Sequence, residues 1–169
     1  MRTKSTRGIP VIAFAGYSNS GKTTIIKALI PLLKAHGLRV AVLKHDAHSF
    51  EMDHQGRDTW EYANAGADVI AISSPKKMAY IETRSQELSV WELIERIDNA
   101  DLILVEGYKS EPLPKIEVRR RNFPLLPEQC RDTVIAVVCD TPAEASVPVF
   151  RFSQATELCN FILNCIDEL

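Results

Sequence analysis

The run Ile9-Pro-Val-Ile-Ala-Phe-Ala15, followed by Gly16-Tyr17-Ser18-Asn19-Ser20-Gly21-Lys22-Thr23-Thr24, decides how this chain folds. Its first part is continuously apolar and rich in β-branched residues, a pattern that suits a strand buried on both faces of a parallel sheet. Gly16 to Thr23 fits the spacing G-x-x-x-x-G-K-[ST] without a mismatch. From Lys22 to His36 the apolar residues Ile25, Ile26, Leu29, Leu32 and Leu33 recur at helical spacing. Pro31 removes one backbone hydrogen bond inside that helix and is expected to kink it. Gly37 is expected to end it. The order strand, glycine-bearing loop, helix is the setting that the spacing requires, and it argues against a turn that merely caps a helix.

The chemistry of such a loop is direct. Glycine lets the backbone approach an anion closely, successive N–H groups point inward, and the helix N-terminus adds a favourable dipole. Lys22 then neutralises the β- and γ-phosphates of a nucleotide, the Thr23 hydroxyl ligates Mg2+, and Thr24 reaches the α-phosphate region. A metal bound there needs an acidic partner. Asp101-Leu-Ile-Leu-Val-Glu106 offers a carboxylate at each end of one strand. Ligands of open α/β sheets bind at the carboxyl ends of strands. Glu106 stands at that end, whereas Asp101 is about 16 Å away at the strand rise and faces the other side. Glu106 is therefore assigned to the Mg2+ shell, and Asp101 to the start of the strand.

Outward from this unit the same alternation continues. Leu38 to Leu43 reads as a second buried strand, Asp58 to Ala65 as a helix closed by Gly66, and Asp68 to Ser73 with Lys77 to Glu82 as a hairpin around Ser74-Pro75. Ser89 and Glu92 form a capping-box pattern for a helix through Ile97. Leu102 to Val105 reads as a buried strand. Lys115 to Arg119 alternates charged and apolar residues and reads as a strand nearer an edge. Arg120 to Arg131 reads as a loop, Thr133 to Cys139 and Val149 to Phe152 as strands, and Gln154 to Asp167 as the last helix. The fold class is α/β: a P-loop NTPase-like three-layer sandwich with a mostly parallel sheet, expected as one domain over residues 1–169.

Composition excludes several classes of function. A formal net charge of -2 argues against a dedicated nucleic-acid binder. The Ile9–Ala15 run is too short for a signal peptide or a membrane span, so neither membrane nor nucleic acid is an expected partner. Cys130, Cys139, Cys159 and Cys165 form no C-x-x-C pair and read as reduced thiols of a cytoplasmic protein.

Other residues leave alternatives open. Lys44-His45-Asp46-Ala-His48 through His54 and Gly56 leaves the sheet on the same rim as the phosphate loop. It can serve the terminal phosphate and its metal, bind a second anionic ligand through Lys44 and the histidines, hold Zn or Ni, or be solvated. Asp140 can accept from guanine N1 and the N2 amine, or be a turn residue before Thr141-Pro142. Lys109, Lys115 and Arg119 to Arg121 read as a basic patch that docks a phosphate-bearing ligand or an acidic partner, or as solvated charge. Trp60 and Trp91 read as core residues rather than cofactor platforms.

Gly16 to Thr23, Lys44 to His48, Gly56-Arg-Asp58, Ala65-Gly66-Ala67, Leu104-Val-Glu-Gly-Tyr-Lys109 and Pro114-Lys-Ile-Glu-Val-Arg119 together resemble the family of molybdopterin-guanine dinucleotide biosynthesis protein B. The resemblance runs through nearly the whole chain in order. It implies a GTP- and Mg2+-binding homodimer that hydrolyses GTP slowly at best. It also implies an adaptor for the molybdenum cofactor guanylyltransferase, which attaches GMP to molybdopterin. Carried over by residue, it places the nucleotide on Gly16 to Thr23 and the metal-side acid at Glu106. Two rivals remain from the residues: a small-molecule kinase with Asp46 or Asp53 as base, and a GTP-driven metallochaperone using His45, His48 and His54.

Overall fold

The computed structural model describes residues 3–46, 50–121, 123–141 and 145–168. The chain divides into two compact units, residues 46–88 and the remainder.

The larger unit is built on a six-stranded parallel sheet. Its strands are β1 (Val11–Ala15), β2 (Val40–Lys44), β5 (Leu102–Glu106), β6 (Lys115–Arg119), β7 (Val134–Cys139) and β8 (Val149–Phe150). They lie in the order β2-β5-β1-β6-β7-β8. Every neighbouring pair is parallel. The fully apolar β1 sits between β5 and β6, where both of its faces are covered, as its sequence predicts.

Alternate residues of each strand serve different layers. Ile12, Phe14, Leu102, Leu104, Ile116, Val118, Ala136 and Val138 pack with α1 (Lys22–Ala35) and α4 (Ala155–Glu168) in the main core. Val11, Ala13, Ile103 and Val105 face the other way and pack with Val90 and Ile94 of α3 (Val90–Glu95). The result is the expected three-layer α/β sandwich. The capping box of α3 forms as read: Ser89 Oγ accepts the Glu92 N–H, and the Glu92 carboxylate accepts the Ser89 N–H.

Two strands lie elsewhere than their sequences suggest. Lys115–Arg119 is an interior strand between β1 and β7, not one near an edge. Its alternation arises because its second face meets irregular backbone instead of a helix. Glu117 is 3% exposed and accepts the Leu126 N–H at 3.0 Å. Lys115 is 1% exposed and donates to two loop carbonyls. Loop backbone brings polar groups that must be paired when buried, so charged side chains suit that face. Conversely, the apolar run of β2 forms an edge strand, and Val42 is exposed. Pro31 stands inside an uninterrupted α1, and Gly37 follows it at φ 83°.

The smaller unit holds α2 (Asp58–Asn64) and an antiparallel hairpin of β3 (Val69–Ser74) and β4 (Lys77–Glu82). Ile70 is its one buried hydrophobic residue among those described. Trp60, half-buried, lines a hollow with Ile70 and Ile81, while Trp91 packs beside the α3 layer of the larger unit. No described helix is long and apolar enough to cross a membrane. Cys130, Cys139, Cys159 and Cys165 are not joined in disulfides.

Candidate functional site

The site forms where β1, β5 and β2 end. Residues 16–21 turn sharply between β1 and α1, and close packing dictates which residues they are. A Cβ on Gly16 would stand 2.2 Å from the Val118 carbonyl oxygen, so no side chain fits there. Gly21 has φ 102°, and a Cβ on it would meet the Phe152 ring at 2.7 Å. Asn19 also adopts a positive φ of 60°, a conformation that asparagine tolerates better than most residues. The Ser20 hydroxyl is buried under the loop without a hydrogen-bond partner. The loop thus encloses a backbone cradle of the kind that holds an anion.

Lys22 folds back over this cradle. Its Nζ donates to Tyr17 O at 2.9 Å and to Gly16 O at 3.2 Å. Burial pushes the Lys22 ammonium below its ordinary pKa, Lys109 and Lys44 add to that effect, and Glu106 opposes it. Next along α1, the Thr23 hydroxyl donates to Glu106 Oε1 at 2.9 Å. Glu106 is 8% exposed at the carboxyl end of β5. The hydroxyl and carboxylate that the sequence pairs therefore meet directly. Both are hard oxygen ligands of the kind that Mg2+ prefers. Asp101 lies at the opposite end of β5, where it pairs with Arg39 at 3.0 Å.

The remaining predicted residues are spread over several elements. Tyr17 is half-buried, stacks on Phe123 at 6.3 Å between ring centroids, and carries Lys109 Nζ 5.0 Å above its ring. Ser18, Asn19 and Thr24 are exposed on the loop and the first turn of α1. Lys44 is in register with Glu106 across β2 and β5. The His45 N–H donates to Glu106 O at 2.9 Å, and its ring lies 4.5 Å from that of Tyr108. Asp46 begins the smaller unit, and His48 lies outside the described residues. Among the described residues no three His, Cys, Asp or Glu side chains come together as a metal site.

Asp140 follows β7, which is an interior strand and not the sheet edge, and its side chain is exposed. Arg151 Nη1 donates to its backbone carbonyl at 3.4 Å. Arg119 ends β6, half-buried. Lys115 does not belong to a surface basic patch at all, since it is buried. The sequence alone gives no sign of Phe152, and it reads Arg120 only as part of a basic patch, not as a neighbour of the loop. Phe152 fills the space that Gly21 leaves, and the Arg120 guanidinium lies 4.8 Å over its ring. Neither residue belongs to a motif, so only the folded chain brings them to the loop.

Residues 11–140 match the sequence profile of the family described as molybdopterin guanine dinucleotide synthesis protein B. The molybdopterin-guanine dinucleotide biosynthesis adapter protein of Escherichia coli is 37% identical over 161 residues, covering 92% of each chain. The protein of the same description from Haemophilus influenzae is 33% identical over 158 residues, 92% of this chain and 89% of its own. The crystal structure of Bacillus subtilis MobB superposes with a TM-score of 0.70 at 26% identity, over 92% of this chain and 97% of that one.

Proposed function

This chain belongs to the family of molybdopterin guanine dinucleotide synthesis protein B, and we propose from that membership that it is a GTP-binding adapter in making the guanine dinucleotide form of the molybdenum cofactor. The observation that carries the nucleotide half of this reading is the Thr23–Glu106 hydrogen bond beside the Gly16–Gly21 cradle. A hydroxyl and a buried carboxylate meet there at the N-terminus of α1, next to an ammonium that donates to two loop carbonyls. An incoming triphosphate would take the place of those carbonyls on Lys22. Mg2+ held by Thr23 and, through water, by Glu106 would neutralise the phosphate charge.

The proposal extends to Asp140 as the reader of guanine N1 and N2, to a homodimer working in the cytoplasm, and to the molybdenum cofactor guanylyltransferase as the enzyme served. Rapid hydrolysis usually calls for a residue that orients water and an arginine finger. The adapter reading needs neither, and at most slow GTP hydrolysis is expected.

Calorimetry of GTP and ATP with the purified protein, with and without Mg2+, tests this. Lys22→Ala is expected to weaken GTP binding at least tenfold, about 1.4 kcal/mol. Asp140→Ala is expected to erode the preference for GTP over ATP. Unchanged GTP affinity in the Lys22 variant would remove the phosphate site from this loop.

A further inference from the structure

The turn that follows Glu106 is held by a group that nucleotide binding by Gly16 to Thr23 does not use. Gly107 has φ 106° and Tyr108 has φ 50°, so two successive residues are left-handed and the chain reverses sharply. The Gly107 N–H donates to Phe14 O, and the Glu111 N–H to Tyr108 O. Lys115, the first residue of β6, then reaches back beneath the turn. Its Nζ donates to Lys109 O and to Glu111 O, each at 2.7 Å, from a side chain that is 1% exposed. A buried ammonium is tolerated only where its protons are taken by acceptors. Here those acceptors are the carbonyls of the turn, so the ammonium fixes the turn's position relative to the sheet.

What the turn presents is Lys109. Its backbone is pinned by Lys115, and its own Nζ rests 5.0 Å over the Tyr17 ring. Tyr17 is the second residue of the phosphate cradle, and Lys22 donates to its carbonyl. Two lysines thus meet one residue, Lys22 at its carbonyl and Lys109 at its ring, and the Lys109 charge helps to lower the Lys22 pKa. Lys44 adds a third positive charge, and the carboxylate that opposes them, Glu106, already accepts from Thr23. Like charges gathered in this way favour an anion among them. Cation–π contact gives an ammonium a weak resting place that a phosphate would readily outcompete. The position also selects among phosphates. On the phosphate-site reading, the first turn of α1 would serve the inner groups, while Thr23 and Glu106 would hold the metal beside the outermost one.

We propose that Lys109 is a second cation for the terminal phosphate of the bound nucleoside triphosphate, parked on Tyr17 in its absence, and that Lys115 is the positioning residue that holds it there. This rests on the phosphate-site reading above and adds to it the means by which the protein tells a triphosphate from a diphosphate.

The test is calorimetry of GTP and GDP, both with Mg2+, for the wild type and variants of the full chain. Lys109→Ala is expected to weaken GTP about tenfold and to leave GDP within about twofold, and Lys109→Arg is expected to restore most of the difference. Lys115→Met is expected to lower the GTP-to-GDP affinity ratio in the same way, with Lys115→Arg as the second variant should the first fail to fold. A purely structural role for Lys115 would lower the melting temperature and leave that ratio unchanged. Equal loss of GTP and GDP in Lys109→Ala, or no loss of either, would overturn the proposal. Failure of the wild type to bind either nucleotide would instead overturn the phosphate site itself.

Discussion

The two compact units keep their strands in place by different means. In the larger one, every residue of β1 and β5 is buried, and each strand feeds two cores on opposite faces of the sheet. In the smaller one, the β3–β4 hairpin is joined by a two-residue turn, and Ile70, at 8% exposure, is its buried residue among those described. Val69, Ile72, Met78 and Tyr80 all remain exposed. A parallel sheet needs crossover connections and covering layers, so it forms only with its core. A hairpin needs only its own ladder and is marginally stable by itself in water. The site residues follow the same division. Lys22, Thr23 and Glu106, joined by the hydrogen bonds described above, belong to the larger unit. Asp46 begins the unit whose described residues include one buried hydrophobic side chain, Ile70.

The largest expected effect is Phe14→Ala, at the centre of the main core, which should cost about 3–5 kcal/mol in urea denaturation. A cost below about 1 kcal/mol would mean that β1 is not the keystone of the larger unit. Next comes Ile70→Ala, at the low end of such substitutions, about 2 kcal/mol. Its signature should be local: amide exchange should speed up in β3 and β4 while β1 and β5 keep the protection of global unfolding. If all four strands lost protection together, the two units would be one cooperative body and the contrast would fail.

Smaller still is the effect at the exposed end of β5. The Arg39 side chain beside Asp101, with a bond from the Arg39 N–H, holds the Asp101 carboxyl below its ordinary value. Between the lowered value and that of the unfolded chain, the unfolded state binds more protons. The pair's contribution is therefore complete above about pH 4 and is lost as pH falls through the folded value. Asp101→Asn should accordingly be less stable than the wild type at neutral pH, and the gap should close on acidification. A gap independent of pH would assign the effect to something other than the carboxylate. Tyr80→Ser should change stability by no more than about 0.5 kcal/mol, because its side chain is half exposed on the open hairpin. A larger loss would show that this face is covered.

The phosphate cradle was legible because its requirements are local. Gly16 and Gly21 are needed where a neighbour leaves no room for Cβ, and Lys22 and Thr23 follow in the first turn of the helix. Glu106 was legible because the strand rise separates the two ends of β5 and the parallel sheet puts binding at one of them. Lys115 and Glu117 were misread as signs of an edge because a charged residue at every second position also describes a solvated face. Their burial depends on Lys109, Glu111 and Leu126, which supply the backbone partners from a loop. Phe152 beside Gly21, 131 positions apart in the chain, carried no local signal.

By itself the sequence determined the strand, loop and helix around Gly16 to Thr23, the acid that meets Thr23, and the alternation that makes an α/β sandwich. These are matters of spacing over a few residues, which the backbone geometry of helices and strands translates directly into position. Tertiary structure alone decided that β6 lies inside the sheet and β2 at its edge, and that Lys115 works beneath a turn rather than on the surface. Strand order is a choice among distant partners of similar local pattern. It is settled by which arrangement covers the apolar faces and pairs every buried polar group, and no single stretch of sequence contains that sum.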